Sequence, residues 1–111
     1  LAPRYHRLGL MAANAQGLAG IERTFFAANP ALDLLGACAL PAVISIEEGL
    51  PPEELVRRHH LAELAEWFRL CGMEAMVLGC THFPYFKDAL ARRTSLPLID
   101  PAEEMLRLLF A

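Results

Sequence analysis

The residues best equipped for chemistry in this sequence lie within three positions of one another. They are Cys80, Thr81 and His82, in the run Ala75-Met76-Val77-Leu78-Gly79-Cys80-Thr81-His82-Phe83-Pro84. A cysteine thiolate is both nucleophilic and basic. An imidazole two residues on can carry a proton or touch a carboxylate. Zinc is the rival use of cysteine and histidine together. It is disfavoured because one residue separates Cys80 from His82 and no second pair at ligand spacing accompanies them. Taken alone, a cysteine after an apolar strand is as often core as functional. The block of residues around Cys80 favours function.

These side chains need elements to hold them. Ala75 to Leu78 form a short apolar run, which predicts a strand buried on both faces. Gly79 permits a tight turn, because it has no Cβ. Thr81 is a predicted helix N-cap, and Pro84 is tolerated in a first helical turn. Cys80 then sits at a strand's carboxyl end beside a helix amino terminus, whose partial positive charge favours thiolate. Open α/β sheets bind their ligands at that edge.

Before this stretch, Arg7 to Ala12 predict a first strand, with a loop over Asn14 to Gly17. Leu18, Ile21, Phe25 and Ala28 recur at helical spacing, and Asn29-Pro30 stops that helix. Leu32 to Cys38 predict a second strand. Pro41 to Glu48 form a short helix closed by Gly49. Pro51-Pro52-Glu53-Glu54 start a longer one, whose buried face is Leu61, Leu64, Ala65, Phe68 and Cys71, with Gly72 at C′. After the third strand come a helix from about His82 to Arg93, a fourth strand over Leu96 to Ile99, and a last amphipathic helix marked by Ala102, Met105, Leu106 and Leu109. Strands alternating with helices imply a parallel sheet covered on both sides. The expected architecture is a single α/β domain over residues 1–111. It is flavodoxin-like, a three-layer sandwich on a four-stranded parallel sheet in the order 2-1-3-4.

The 111 residues suffice for one domain. The net charge of −3, with no basic cluster beyond Arg57-Arg58 and Arg92-Arg93, argues against a nucleic-acid surface. No apolar run reaches membrane-spanning length and no signal peptide is visible, so a cytoplasmic protein without membrane contact is expected. Three widely spaced cysteines do not suggest a disulfide framework. Cys38 and Cys71 are expected in the core, and His59-His60 in a solvated helix stretch. The chain begins at Leu1 and is 55% hydrophobic, which reads as one piece of a longer protein with a face built to meet another domain.

Leu78-Gly79-Cys80-Thr81-His82-Phe83-Pro84 resembles the second cysteine motif of the glutamate racemases. Leu8-Gly9-Leu10-Met11-Ala12, Ile46-Glu47-Glu48-Gly49 and Ile99-Asp100 resemble further segments of that family, in the same order. The resemblance implies the second α/β domain of a two-domain, cofactor-independent enzyme that interconverts L- and D-glutamate for peptidoglycan precursor synthesis. Two cysteines, one from each domain, would flank the substrate's α-carbon: one thiolate abstracts a proton while the opposing thiol donates. Cys80 would be one of them. Thr81 would hold a substrate carboxylate. His82 would assist proton transfer or bind the carboxylate, and Glu47 would orient His82. The expected partners are the amino-acid substrate and the missing first domain, with a homodimer left open. No metal or cofactor is implied, and the isolated chain is expected to be inactive.

One segment departs from the family. The loop after the first strand usually reads Ala-Thr-x-Gly-Thr, and its threonines bind substrate. Here it is Ala12-Ala13-Asn14-Ala15-Gln16-Gly17. Ala13 replaces a threonine, and Asn14 and Gln16 offer amides in its place as substrate contacts. This keeps three alternatives in view: an aspartate/hydantoin-type racemase, a one-cysteine decarboxylase of the same superfamily, and a non-catalytic binding or dimerisation domain.

Overall fold

Four short apolar segments pair side by side to make the sheet. They are β1 (Arg7–Ala12), β2 (Asp33–Cys38), β3 (Ala75–Leu78) and β4 (Leu98–Ile99). The structure, a computed structural model, describes residues 5–101. All pairings are parallel and the order is β2-β1-β3-β4, as the alternation of strands and helices predicts. Met11 stands opposite Ala37 on one side and Leu78 on the other, so β1 and β3 end together.

Residues alternate between the two faces of the sheet, as a period of two requires. Leu8 and Leu10 of β1, with Ala75 and Val77 of β3, pack against Phe25, Leu18 and Ile21 of α1 (Ala15–Ala28). Met11, Met76 and Leu78 face the other way. They meet a larger core supplied by α2 (Leu40–Glu47), α3 (Pro52–Arg58), α4 (Leu61–Leu70) and α5 (Pro84–Ala91). The result is three layers, with the sheet between α1 on one face and α2 to α5 on the other. Gly9 is required on the crowded face: a Cβ there would lie 2.7 Å from the Phe68 ring, which is fully buried in α4. At the other end of the sheet, Glu74 Oε1 accepts the backbone N–H groups of His6 at 2.7 Å and Arg7 at 2.8 Å, which fixes the start of β1.

Several expectations need correction. The helix read from Pro52 to Cys71 is two helices. His60 breaks it with a left-handed backbone (φ 54°, ψ 42°), and Gly72 at φ 89° does close α4. The break turns His59 inward, where its Nε2 shares a 2.8 Å hydrogen bond with Ser45 of α2. His59 is therefore half-buried rather than solvated, while His60 is exposed. Cys38 and Cys71 are exposed, not core. Cys38 ends an edge strand with a neighbour on one side only, and Cys71 is the C-cap of α4. The fourth strand is two residues long rather than four. The expected last helix over 102–109 lies outside the described residues. Among the described residues, no helix is long and apolar enough to cross a membrane.

Candidate functional site

β1, β2 and β3 end on one rim. Ala39 N–H donates to the Ala12 carbonyl at 2.8 Å, and Gly79 N–H donates to the Met11 carbonyl at 2.7 Å. Parallel strands present their carboxyl ends together, so Ala13, Ala39 and Cys80 emerge at the same edge, where open α/β sheets hold ligands.

Gly79 is needed for close approach rather than for a turn conformation. Among the described residues only Gly49 and Gly72 are glycines of positive φ. A Cβ on Gly79 would overlap Ile21 Cδ1 of α1 and lie 2.9 Å from the Met11 carbonyl oxygen. The absence of that carbon lets β3 pass close to both, which sets the position of Cys80.

Thr81 is not the helix cap. Residues 81–83 form a turn in which Phe83 N–H donates to the Cys80 carbonyl at 3.0 Å, and α5 starts at Pro84 with Phe83 in the cap position. Phe83 is fully buried, and its anchoring in the core moves the helix start past Thr81. Cys80 is thus separated from α5 by one turn of chain, and Thr81 is exposed and uncommitted to capping.

The turn brings His82 back over Cys80. Sγ of Cys80 lies 3.7 Å from Nδ1 of His82, within reach of a sulfur hydrogen bond. On the far side of the ring, Nε2 lies 3.9 Å from Oε2 of Glu47, the last residue of α2. That separation suits an ion pair with a protonated imidazole but exceeds a hydrogen bond. Cys80, His82 and Glu47 therefore form a line of thiol, imidazole and carboxylate across the rim. Cys80 is half-buried, and the other two are open to solvent. A line of this composition can take a proton at sulfur and pass it toward solvent.

Beside the thiol lies a cavity of about 400 Å³ lined by Leu78, Gly79, Cys80, Thr81, Pro84, Asp100 and Pro101. Its size admits a small amino acid. Asp100 was read from sequence only as part of a family resemblance. It follows β4, and the same rule that places Cys80 on the rim places Asp100 there. The residues after β1 do not line this cavity. Ala13 packs against the larger core, and Gln16 is exposed. The Asn14 Oδ1 accepts Gly17 N–H at 2.9 Å as the N-cap of α1, which commits one lone pair of that oxygen and leaves the amide N–H groups for a ligand.

Known proteins show the same architecture. The chain is 33% identical over 87 residues to the glutamate racemase of Limosilactobacillus reuteri (strain DSM 20016), covering 77% of this chain and 32% of that protein. It is 33% identical over 107 residues to the glutamate racemase of Desulforudis audaxviator (strain MP104C), covering 91% of this chain and 38% of that one. Among solved structures, the glutamate racemase of Francisella tularensis in complex with D-glutamate superposes with a TM-score of 0.68 at 26% identity, covering 92% of this chain and 40% of that chain. No protein-family profile matches the chain. The chain spans about a third of the length of the curated relatives it matches. In sequence and in fold it is related to that part of the glutamate racemases.

Proposed function

From this kinship with the glutamate racemases, we propose that the chain is the second α/β domain of a cofactor-independent amino-acid racemase, with Cys80 as one of its two proton-transfer residues. The observation that carries the reading is the line Cys80–His82–Glu47, at 3.7 and 3.9 Å, on the ligand-binding edge of the sheet.

The reaction itself dictates two bases. Inverting an α-carbon means taking its proton from one face and delivering another to the opposite face. In one direction, the Cys80 thiolate removes the α-proton while a thiol across the substrate donates its own. Cys80 ends protonated and the opposing sulfur ends as thiolate. The reverse reaction restores both. Between forward turnovers His82 returns the Cys80 proton to solvent while the opposing thiolate takes one from solvent, and Glu47 stabilises the imidazolium that the first of these requires. Thr81, exposed at the mouth of the cavity, holds a substrate carboxylate. Each well-placed acid or base contributes about 10²–10⁴-fold.

The opposing base comes from the first domain. Cys38 cannot serve, because it ends β2 of the same sheet and stands on the same rim as Cys80. The product is a D-amino acid of the kind that peptidoglycan synthesis consumes, and a cytoplasmic site suits it. The loop after β1 bears on the choice of substrate: Ala13 brings no hydroxyl, and half of the Asn14 amide is used in capping. Aspartate is therefore the second substrate to test.

The test is a chiral assay of the full-length protein with L-glutamate and L-aspartate, repeated with this chain alone. The expected result is racemisation of one acidic amino acid by the full-length protein and none by the chain alone. Turnover by the chain alone near the full-length rate would refute the two-domain mechanism.

A further inference from the structure

The gap between His82 and Glu47 lies between the turn that leads into α5 and the last residue of α2, so something must set it. We infer that Tyr85 is the positioning residue that does so, by tying α5 to the end of α2. The inference rests on the proposed roles of His82 and Glu47.

The Tyr85 hydroxyl donates to the Leu50 carbonyl at 2.8 Å. Tyr85 lies three residues after His82, and its N–H donates to the His82 carbonyl at 3.2 Å. Leu50 lies three residues after Glu47. The Tyr85–Leu50 hydrogen bond thus runs alongside the His82–Glu47 contact, about one turn away. Both of its ends are rigid. Gly49 at φ 81° closes α2, with Gly49 N–H donating to the Ile46 carbonyl and Leu50 N–H to the Ser45 carbonyl, both at 3.0 Å. This capping arrangement fixes the Leu50 N–H, and Pro51 after it restricts the Leu50 backbone to extended conformations, which narrows where its carbonyl points. On the other side, Phe86, the next residue of α5, is fully buried.

The geometry makes the tie consequential. At 3.9 Å the Glu47 carboxylate is about 1 Å beyond hydrogen-bond distance from Nε2. A shift of α2 by that much toward α5 would lock the imidazole to the carboxylate, and an equal shift away would end their contact. Farther along, the exposed Arg92 and Arg93 pair with Glu53, and buried Phe86 and Leu90 share the core with Leu55 and Val56; these ties hold α5 to α3 rather than to the end of α2. Tyr85 is 42% exposed, so burial alone does not hold its ring. Its hydroxyl has a bonding role that phenylalanine would lose.

The test uses the full-length protein with ¹⁵N-labelled histidine, as wild type, Tyr85→Phe, Glu47→Gln, the double variant and Arg92→Gln. His82→Asn identifies the His82 ring resonances. Tyr85→Phe is expected to move those resonances in the same direction as Glu47→Gln. It should lower kcat about fivefold to tenfold with KM nearly unchanged, the effect of a small misplacement on a transfer step. In the Glu47→Gln background it should add less than about twofold, because the two act through one contact. Arg92→Gln, which cuts one of the distant ties, should leave the His82 resonances and kcat in place. Loss of thermal stability in Tyr85→Phe with the His82 resonances unmoved would overturn the inference. So would a kcat loss equal in both backgrounds. Movement of the resonances in a protein that turns over neither glutamate nor aspartate would uphold the tie and refute the reaction assigned to the site.

Discussion

Gly79→Ala adds one carbon at the point where the sheet delivers Cys80. The new Cβ would overlap Ile21 Cδ1 and stand 2.9 Å from the Met11 carbonyl oxygen, with Ile21 Cγ1 at an ordinary 3.7 Å. The two contacts differ in how they can yield. Ile21 Cδ1 is the tip of a flexible, half-buried side chain and can rotate away. The Met11 carbonyl is held by β1 and accepts Gly79 N–H at 2.7 Å, so relief there moves backbone. Overpacking of this kind costs about 1–3 kcal/mol. With both contacts engaged, about 2 kcal/mol is expected, equivalent to a fall in melting temperature of roughly 8–16 °C for a domain of this size. Ile21→Val removes Cδ1 and itself costs about 0.5–1 kcal/mol. The double variant should therefore be more stable than the sum of the two singles by about 1 kcal/mol, leaving the carbonyl contact unrelieved. Urea denaturation of the four proteins measures this cycle. A Gly79→Ala variant as stable as wild type, or a cycle with no coupling, would refute the claim that close packing of β3 on α1 and β1 sets the position of Cys80.

Two further outcomes are expected. The Glu74 carboxyl is held below its ordinary value of 4.5, first by the His6 backbone N–H that it accepts. Its stabilisation is therefore complete above pH 4.5 and is lost as the pH falls through the lower folded value. Glu74→Gln should remove about 1 kcal/mol at neutral pH, the low end for a charge-assisted hydrogen bond because the group is exposed, and should flatten the acid limb of a stability-against-pH curve. At Asn14, Asn14→Ala should cost about 1 kcal/mol as a lost cap, whereas Asn14→Asp keeps the cap. A severalfold rise in KM for Asn14→Asp in the full-length protein, with its melting temperature retained, would assign the amide N–H groups to substrate.

Much of this was legible in the sequence. The four apolar segments, punctuated by loops and helical spacing, led to the parallel sheet and its order, because a buried parallel strand leaves a continuous apolar run such as Ala75–Leu78. The rim followed from topology, and the proximity of Glu47 to His82 followed from family resemblance. Other features were set by tertiary contacts. No glycine or proline marks the break at His60, where a non-glycine residue takes a left-handed conformation and Ser45 receives His59. Thr81 has a cap's chemistry, but burial of Phe83 decides where α5 starts. Cys38 and Cys71 look apolar as residue types. Their exposure comes from an edge strand and a helix end, which composition does not encode. Tyr85 carries no motif, and the role inferred for it emerges only once the chain after α2 meets the start of α5.

The central claim is that Cys80 moves the substrate's α-proton. It is tested most directly by Cys80→Ala in the full-length protein, following racemisation by chiral chromatography and substrate binding by calorimetry. The account predicts a fall in kcat of at least about 10²–10⁴-fold, the contribution of one acid–base group, with binding largely retained. Racemisation at a rate near wild type would contradict it.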